Sequence, residues 1–176
     1  MNLQLTNHAA GNPTLGASEL HIGQVGGTTA VVAVTPVISA GAIYVAKEAV
    51  GGRLEFLNAV RVSGGSGVLH AVTIIDNDSE AAALWLVLFN QAFVASADNA
   101  AFDPSDADLL NCIGAINIGT ADYVAFNDNS VAQVRSTGLP FKLTGTTTLY
   151  GQLMCVATPT YTAVNDLTVK VHILQD

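Results

Sequence analysis

The chain has 176 residues; half are hydrophobic, only 11% are charged, and the net charge is −8. That length is one ordinary domain, or one domain with an arm. A charged fraction so far below the usual ~25% means that much of the surface must be hidden, most simply by subunit association. No Lys or Arg occurs between Arg61 and Arg135, a span that holds Asp76, Asp78, Glu80, Asp98, Asp103, Asp106, Asp108, Asp122 and Asp128. A surface of that sign repels phosphates, which argues against a nucleic-acid partner.

In chain order, residues 1–42 read as an extended arm that leads into a strand. The first charged residue is Glu19, the next is Lys47, and glycines recur at Gly11, Gly16, Gly23, Gly26 and Gly27. Such a segment struggles to bury a core alone. It gains order on a partner or is an ordinary terminus. Its start lacks a basic region and a compact apolar run, so no secretory signal is expected. The uncharged stretches 28–46 and 81–97 are broken by Pro36 and Gly41, and by Asn90 and Gln91. Neither is the run of about 20 apolar residues that a membrane span needs.

Residues 43–176 are expected to form an all-β domain. Strand-sized runs are expected at 30–37, 43–46, 54–62, 68–76, 83–90, 113–118, 132–135, 147–156 and 167–174. Turn signals separate them: Gly51-Gly52, Ser63 to Gly67, Asp76-Asn77-Asp78, Asn127-Asp128-Asn129, Thr144-Gly145-Thr146 and Asn165-Asp166. This spacing predicts an antiparallel β-sandwich, jelly-roll-like, with one short helix and an extended N-terminal arm. Leu167 to Ile173 alternates, with Leu167, Val169, Val171 and Ile173 on one face and Thr168, Lys170 and His172 on a wet one. Leu84 to Phe89 is apolar on both faces, so either an arm or a neighbouring subunit covers its outer face, or the strand is central and capped. A helix is expected after Asp103, with Asp103 as N-cap, Pro104 at the first helical position and Asp106 in the first turn.

The acid-rich stretch Asp76-Asn77-Asp78-Ser79-Glu80 raises the question of a metal site. It begins like a calcium loop, but the required Gly and Glu positions hold Ala81 and Val87. A polar turn between two strands is the expected reading, with calcium shared by Asp76 and Asp78 as the alternative. Cys112 and Cys155 match no zinc or redox spacing; buried free thiols are expected, with a disulfide as the alternative. His8, His21, His70 and His172 lack metal-type spacing, no Gly-x-Ser-x-Gly elbow occurs, and Ser63 to Gly67 lacks the Lys-Ser/Thr ending of a phosphate loop. Neither an enzyme nor a cofactor is expected.

Four stretches carry a family likeness: Tyr44 to Gly52; Asp98 to Phe102 with Asp106 to Asp108; Gly138 to Leu143 with Thr147 to Gly151; and Pro159 to Ala163 with Asp166 to Val169 and Leu174-Gln175-Asp176. Over Tyr44 to Asp176 the chain resembles small proteins encoded among the head genes of tailed bacteriophages and prophages. It departs from their pattern at Lys47-Glu48, where Gly-Asp is usual. The resemblance implies a virion structural protein, a decoration or cement protein on the capsid exterior, assembled in the host cytoplasm. The implied partners are the major capsid protein and further copies of the chain, as a homotrimer. The candidate contact residues are Val31, Val32, Val34, Val37, Ile38 and Trp85. The alternative is a head-tail or fibre-associated sandwich that binds a host glycan.

Overall fold

The computed structural model describes residues 28–176. Its strands are β1 (Thr28–Val34), β2 (Ala49–Phe56), β3 (Ser66–Asp76), β4 (Leu84–Phe89), β5 (Cys112–Ile118), β6 (Tyr123–Ala125), β7 (Ser130–Lys142), β8 (Leu149–Cys155) and β9 (Leu167–Gln175), with one α-helix, α1 (Asp106–Leu109), and a 3-10 turn, Thr120–Asp122. They form two antiparallel sheets, ordered β1-β9-β3-β7-β6 and β2-β8-β4-β5. The chain changes sheet at every connection except β4–β5 and β6–β7. That is the double Greek-key winding of an eight-stranded jelly roll, with β6 added at one edge.

Period-2 alternation explains the core. In β9, Leu167, Val169, Val171 and Ile173 are buried and face Leu84, Leu86, Leu88 and Leu153 of the other sheet in one apolar cluster. Tyr44 and Tyr161 close one part of it, ring centroids 6.0 Å apart in an edge-to-face arrangement. Of the segment 1–42, Thr28–Val34 is the edge strand β1, paired with β9 from Thr28↔Gln175 to Val34↔Val169. Residues 1–27, with His8 and His21, lie outside the described residues.

Several local expectations change. The strand expected at 43–46 is reduced to a single bridge, Ile43↔Thr160. Tyr44 is instead an anchor: its N–H donates to Pro159 O and its ring is buried. Gly51-Gly52, expected as a turn, lies inside β2, where the register shifts between Val50 and Leu54. Gly51 has φ 73°, and a Cβ there would sit 2.5 Å from Pro36 Cβ, so the glycine serves a bulge and not a hairpin. β7 continues well past Arg135 because Ser136 (φ 55°) and Gly138 (φ 57°) absorb an irregularity that hides the alternation. Pro140 is tolerated because β6 pairs only with Ser130 to Ala132, leaving one side of β7 free there.

The N-cap of α1 is Ser105, whose Oγ accepts from Asp108 N at 3.1 Å. The expected cap, Asp103, instead donates its N–H to Ser96 Oγ at 2.9 Å. Asp106 does lie in the first turn. Both cysteines are free, Cys155 buried and Cys112 half-buried. Burial pushes the Cys155 thiol up from its ordinary pKa.

Candidate functional site

The acidic stretch is a turn that fastens two loops. Val72 to Ile75 lies in β3 and the next strand begins at Leu84. Asp76 is fully buried; its Oδ1 accepts from Asp78 N at 3.0 Å, and its Oδ2 from Ala81 N at 2.8 Å and Ser130 Oγ at 3.4 Å. The first of these is a side chain bonding the backbone two residues on. The left-handed residues of the turn are Ser79 and Ala81, not the Asn and Asp that tolerate it best. Asp78 reaches the β8–β9 connection, accepting from Thr162 N and Thr162 Oγ1, each at 3.0 Å. Asp166 accepts from Ala163 N at 2.6 Å within that connection. Burial raises the Asp76 pKa; the backbone N–H groups of Ala81 and Asp78 oppose the shift. Among the described residues no three His, Cys, Asp or Glu side chains are grouped to hold a metal ion.

The β4–β5 connection covers part of the outer face of the four-stranded sheet, while Arg53, Glu55, Ala115 and Asn117 stay exposed on it. β4 is central in it, between β8 and β5, and Val87 and Phe89 pack under Phe93, Ala95 and Phe102 of the β4–β5 connection. Phe89 and Phe93 stack with ring centroids 3.9 Å apart. Gln152, fully buried beneath this cover, binds it directly: Nε2 donates to Ser96 O at 2.7 Å and Gly51 O at 2.9 Å, while Oε1 accepts from Ser96 N. Asp98 fastens the far end of the cover, accepting from Ser39 Oγ at 2.6 Å, Tyr44 OH at 2.8 Å and Gly51 N at 2.5 Å. Trp85 lies at the margin of the cover, beside Met154 and Asn117, and is half-buried. The chain itself therefore covers the outer face of β4 at Val87 and Phe89, and leaves Trp85 half-buried.

The five-stranded sheet is open on its outer side. Register places Val31, His172, Ala71 and Arg135 in one row across β1, β9, β3 and β7. Lys170 lies in the next row, beside Thr73, and Lys142 lies exposed at the end of β7. Three of the six Lys and Arg residues of an acidic chain thus point outward from one sheet. Exposed apolar side chains sit among them: Val31 on β1, Leu174 on β9, Val124 on β6 and Phe126 just after it. Asp122, Val124, Phe126, Val131 and Arg135 line a shallow groove of about 450 Å³ on this face.

The candidate contact residues divide between surface and core. Val31 and Val37 are 56% and 74% exposed, whereas Ile38 is 2% exposed and belongs to the core. Val32 and Val34 are half-buried and pack against that core. The residues that sequence reasoning missed are Arg135, Lys170, His172, Val124 and Phe126. Lys170 and His172 already stood on the wet face of an alternating strand; only strand order brings Arg135 beside them. Comparison with protein-family models, curated proteins and solved structures gives no match.

Proposed function

We propose that the protein is a virion structural protein, a capsid decoration or cement protein. It lies on the exterior of a phage head and binds the major capsid protein across joints between subunits. The observation that carries this reading is the asymmetry of the sandwich. One outer face is covered over its centre by the chain's own connection, anchored by Gln152 and Asp98, while the other is a sheet without such a cover among the described residues, with Lys170, Arg135 and His172 among exposed Val31, Val124 and Leu174. A flat, mixed cationic and apolar face on an otherwise acidic block suits attachment to an acidic, continuous surface. The jelly-roll winding and the head-gene resemblance over Tyr44 to Asp176 add support by analogy of fold and sequence.

Co-sedimentation with capsids tests the proposal. The wild-type chain pellets with capsids, and Lys170→Glu combined with Arg135→Glu lowers the bound fraction at least tenfold, as expected for charge reversal in a contact. Added salt weakens wild-type binding in the same direction. Asp103→Lys, on the exposed part of the cover, leaves binding unchanged. A wild-type chain that stays in the supernatant at low salt overturns the reading.

A further inference from the structure

The four sheet edges are treated differently. β6 has only three residues. The first half of β2 is closed by the β4–β5 connection, through Ala49 N to Ala100 O and Asn99 N to Ala49 O, and its second half carries the Arg53–Glu55 ion pair at 2.7 Å. β5 is bulged at Ile113, where its register against β4 shifts between Leu88 and Phe89. Shortness, covering, bulges and charge are the ordinary ways in which an edge is kept from pairing with another chain. Among the described residues β1 has none of them. It is seven residues of Thr, Ala and Val, unbulged against β9, without charge or proline, and among the described residues it pairs on one side only.

We infer that the edge of β1 left unpaired among the described residues pairs antiparallel with β1 of a second copy, about a two-fold axis at Val31. Val31 is the middle of the seven residues, so an axis there pairs the whole length of the strand. Val31 meets Val31, Ala30 meets Val32, Thr29 meets Ala33 and Thr28 meets Val34, so core-facing residues meet core-facing ones and outward residues meet outward ones. A slip by one residue sets core-facing residues against outward ones, and a slip by two leaves two residues of each strand unpaired. Charge does not oppose pairing at this edge. Two chains of net charge −8 repel over most of their surfaces, whereas β1 is uncharged and Lys170 stands beside its Ala33. The contact is isologous and closes on itself, giving a dimer and not a fibre. It joins two five-stranded sheets into one of ten strands, with the row Val31, His172, Ala71 and Arg135 continued through the axis into its copy. The pairing stands without the capsid reading.

Sedimentation of the full chain in the absence of capsids tests it, using a charge swap at the axis. The wild type sediments as a dimer. Val31→Lys and Val31→Glu each place two like charges directly opposite each other and shift the chain to monomer. An equimolar mixture of the two variants recovers the dimer, because in this register position 31 faces itself. Val31 lies on the solvent side of the sheet, so each variant keeps the cooperative unfolding of the wild type. A wild type that is monomeric or trimeric, single variants that remain dimeric, or a mixture that stays monomeric each overturns the inference. Loss of capsid binding with the dimer intact would instead count against the capsid reading alone.

Discussion

The Tyr44 hydroxyl donates to Asp98 Oδ1 at 2.8 Å, across 54 residues of sequence. The same carboxylate takes Ser39 Oγ and Gly51 N, so one side chain of the cover holds the approach to β2 and the bulge inside it. Burial, and next the hydrogen bond to Asp98, drive the Tyr44 pKa upward, keeping it a neutral donor. Asp98→Ala orphans three donors and is expected to lower stability by about 3 kcal/mol, whereas Tyr44→Phe removes one bond and costs about 1 kcal/mol. Urea unfolding of both variants measures the difference; equal losses would mean that Asp98 is not the hub.

Gln152 bonds the middle of the cover from below. Gln152→Leu keeps the volume but leaves Ser96 N, Ser96 O and Gly51 O without their partner. A loss of about 2–4 kcal/mol is expected, at about 1 kcal/mol or more for each buried group left unpaired. Hydrogen exchange should show faster exchange across residues 90–111 with β9 protection retained. Uniform acceleration through both sheets would show that the cover is not a separate opening unit.

Gly51→Ala tests the bulge. The left-handed backbone at φ 73° and the 2.5 Å approach to Pro36 Cβ act together, and that ring carbon is not a flexible side-chain tip. A loss of about 2–3 kcal/mol is expected from strain and clash combined. Gly52→Ala, where a Cβ has open space, should change stability far less. Similar losses at both positions in thermal unfolding would refute this account of Gly51.

Asp76 sets a pH dependence of definite sign. Its folded pKa is raised above the ordinary carboxylate value, chiefly by burial, so the folded state binds its proton more tightly than the unfolded state. Its contribution to stability is present below the unfolded pKa and is lost as pH rises through the folded pKa. The Asp76 component should therefore increase on moving from neutral pH toward the ordinary carboxylate range. Comparison of wild type with Asp76→Asn over that range isolates it; a wild-type-minus-variant difference that does not change with pH would rule the linkage out.

Calcium is expected to leave the melting temperature unchanged, because both oxygens of Asp76 and both of Asp78 already accept hydrogen bonds. Asp78→Ala should cost about 1–3 kcal/mol, the scale of bonds to a charged acceptor. The loss should be equal with and without calcium. A calcium-dependent rise in melting temperature that Asp78→Ala abolishes would restore the metal reading.

The sequence alone determined the β-sandwich and which face of β9 turns inward, because side-chain alternation is a local property that burial must respect. It also identified Asp76 to Glu80 as a connection and flagged β4 as a strand apolar on both faces. Only the tertiary structure decided what covers that strand, since the cover depends on Gln152 and Asp98 meeting backbone far away in the chain. Gly51-Gly52 carries the local chemistry of a turn, yet the Asp98 contact and the neighbouring Pro36 make it a bulge within β2. Ser105, not Asp103, caps the helix, because the first turn starts late enough to bring Asp108 N to the Ser105 Oγ. The open cationic face had a local trace in Lys170 and His172. Their union with Arg135 and Val31 follows from strand order, which is fixed by the packing of the whole chain.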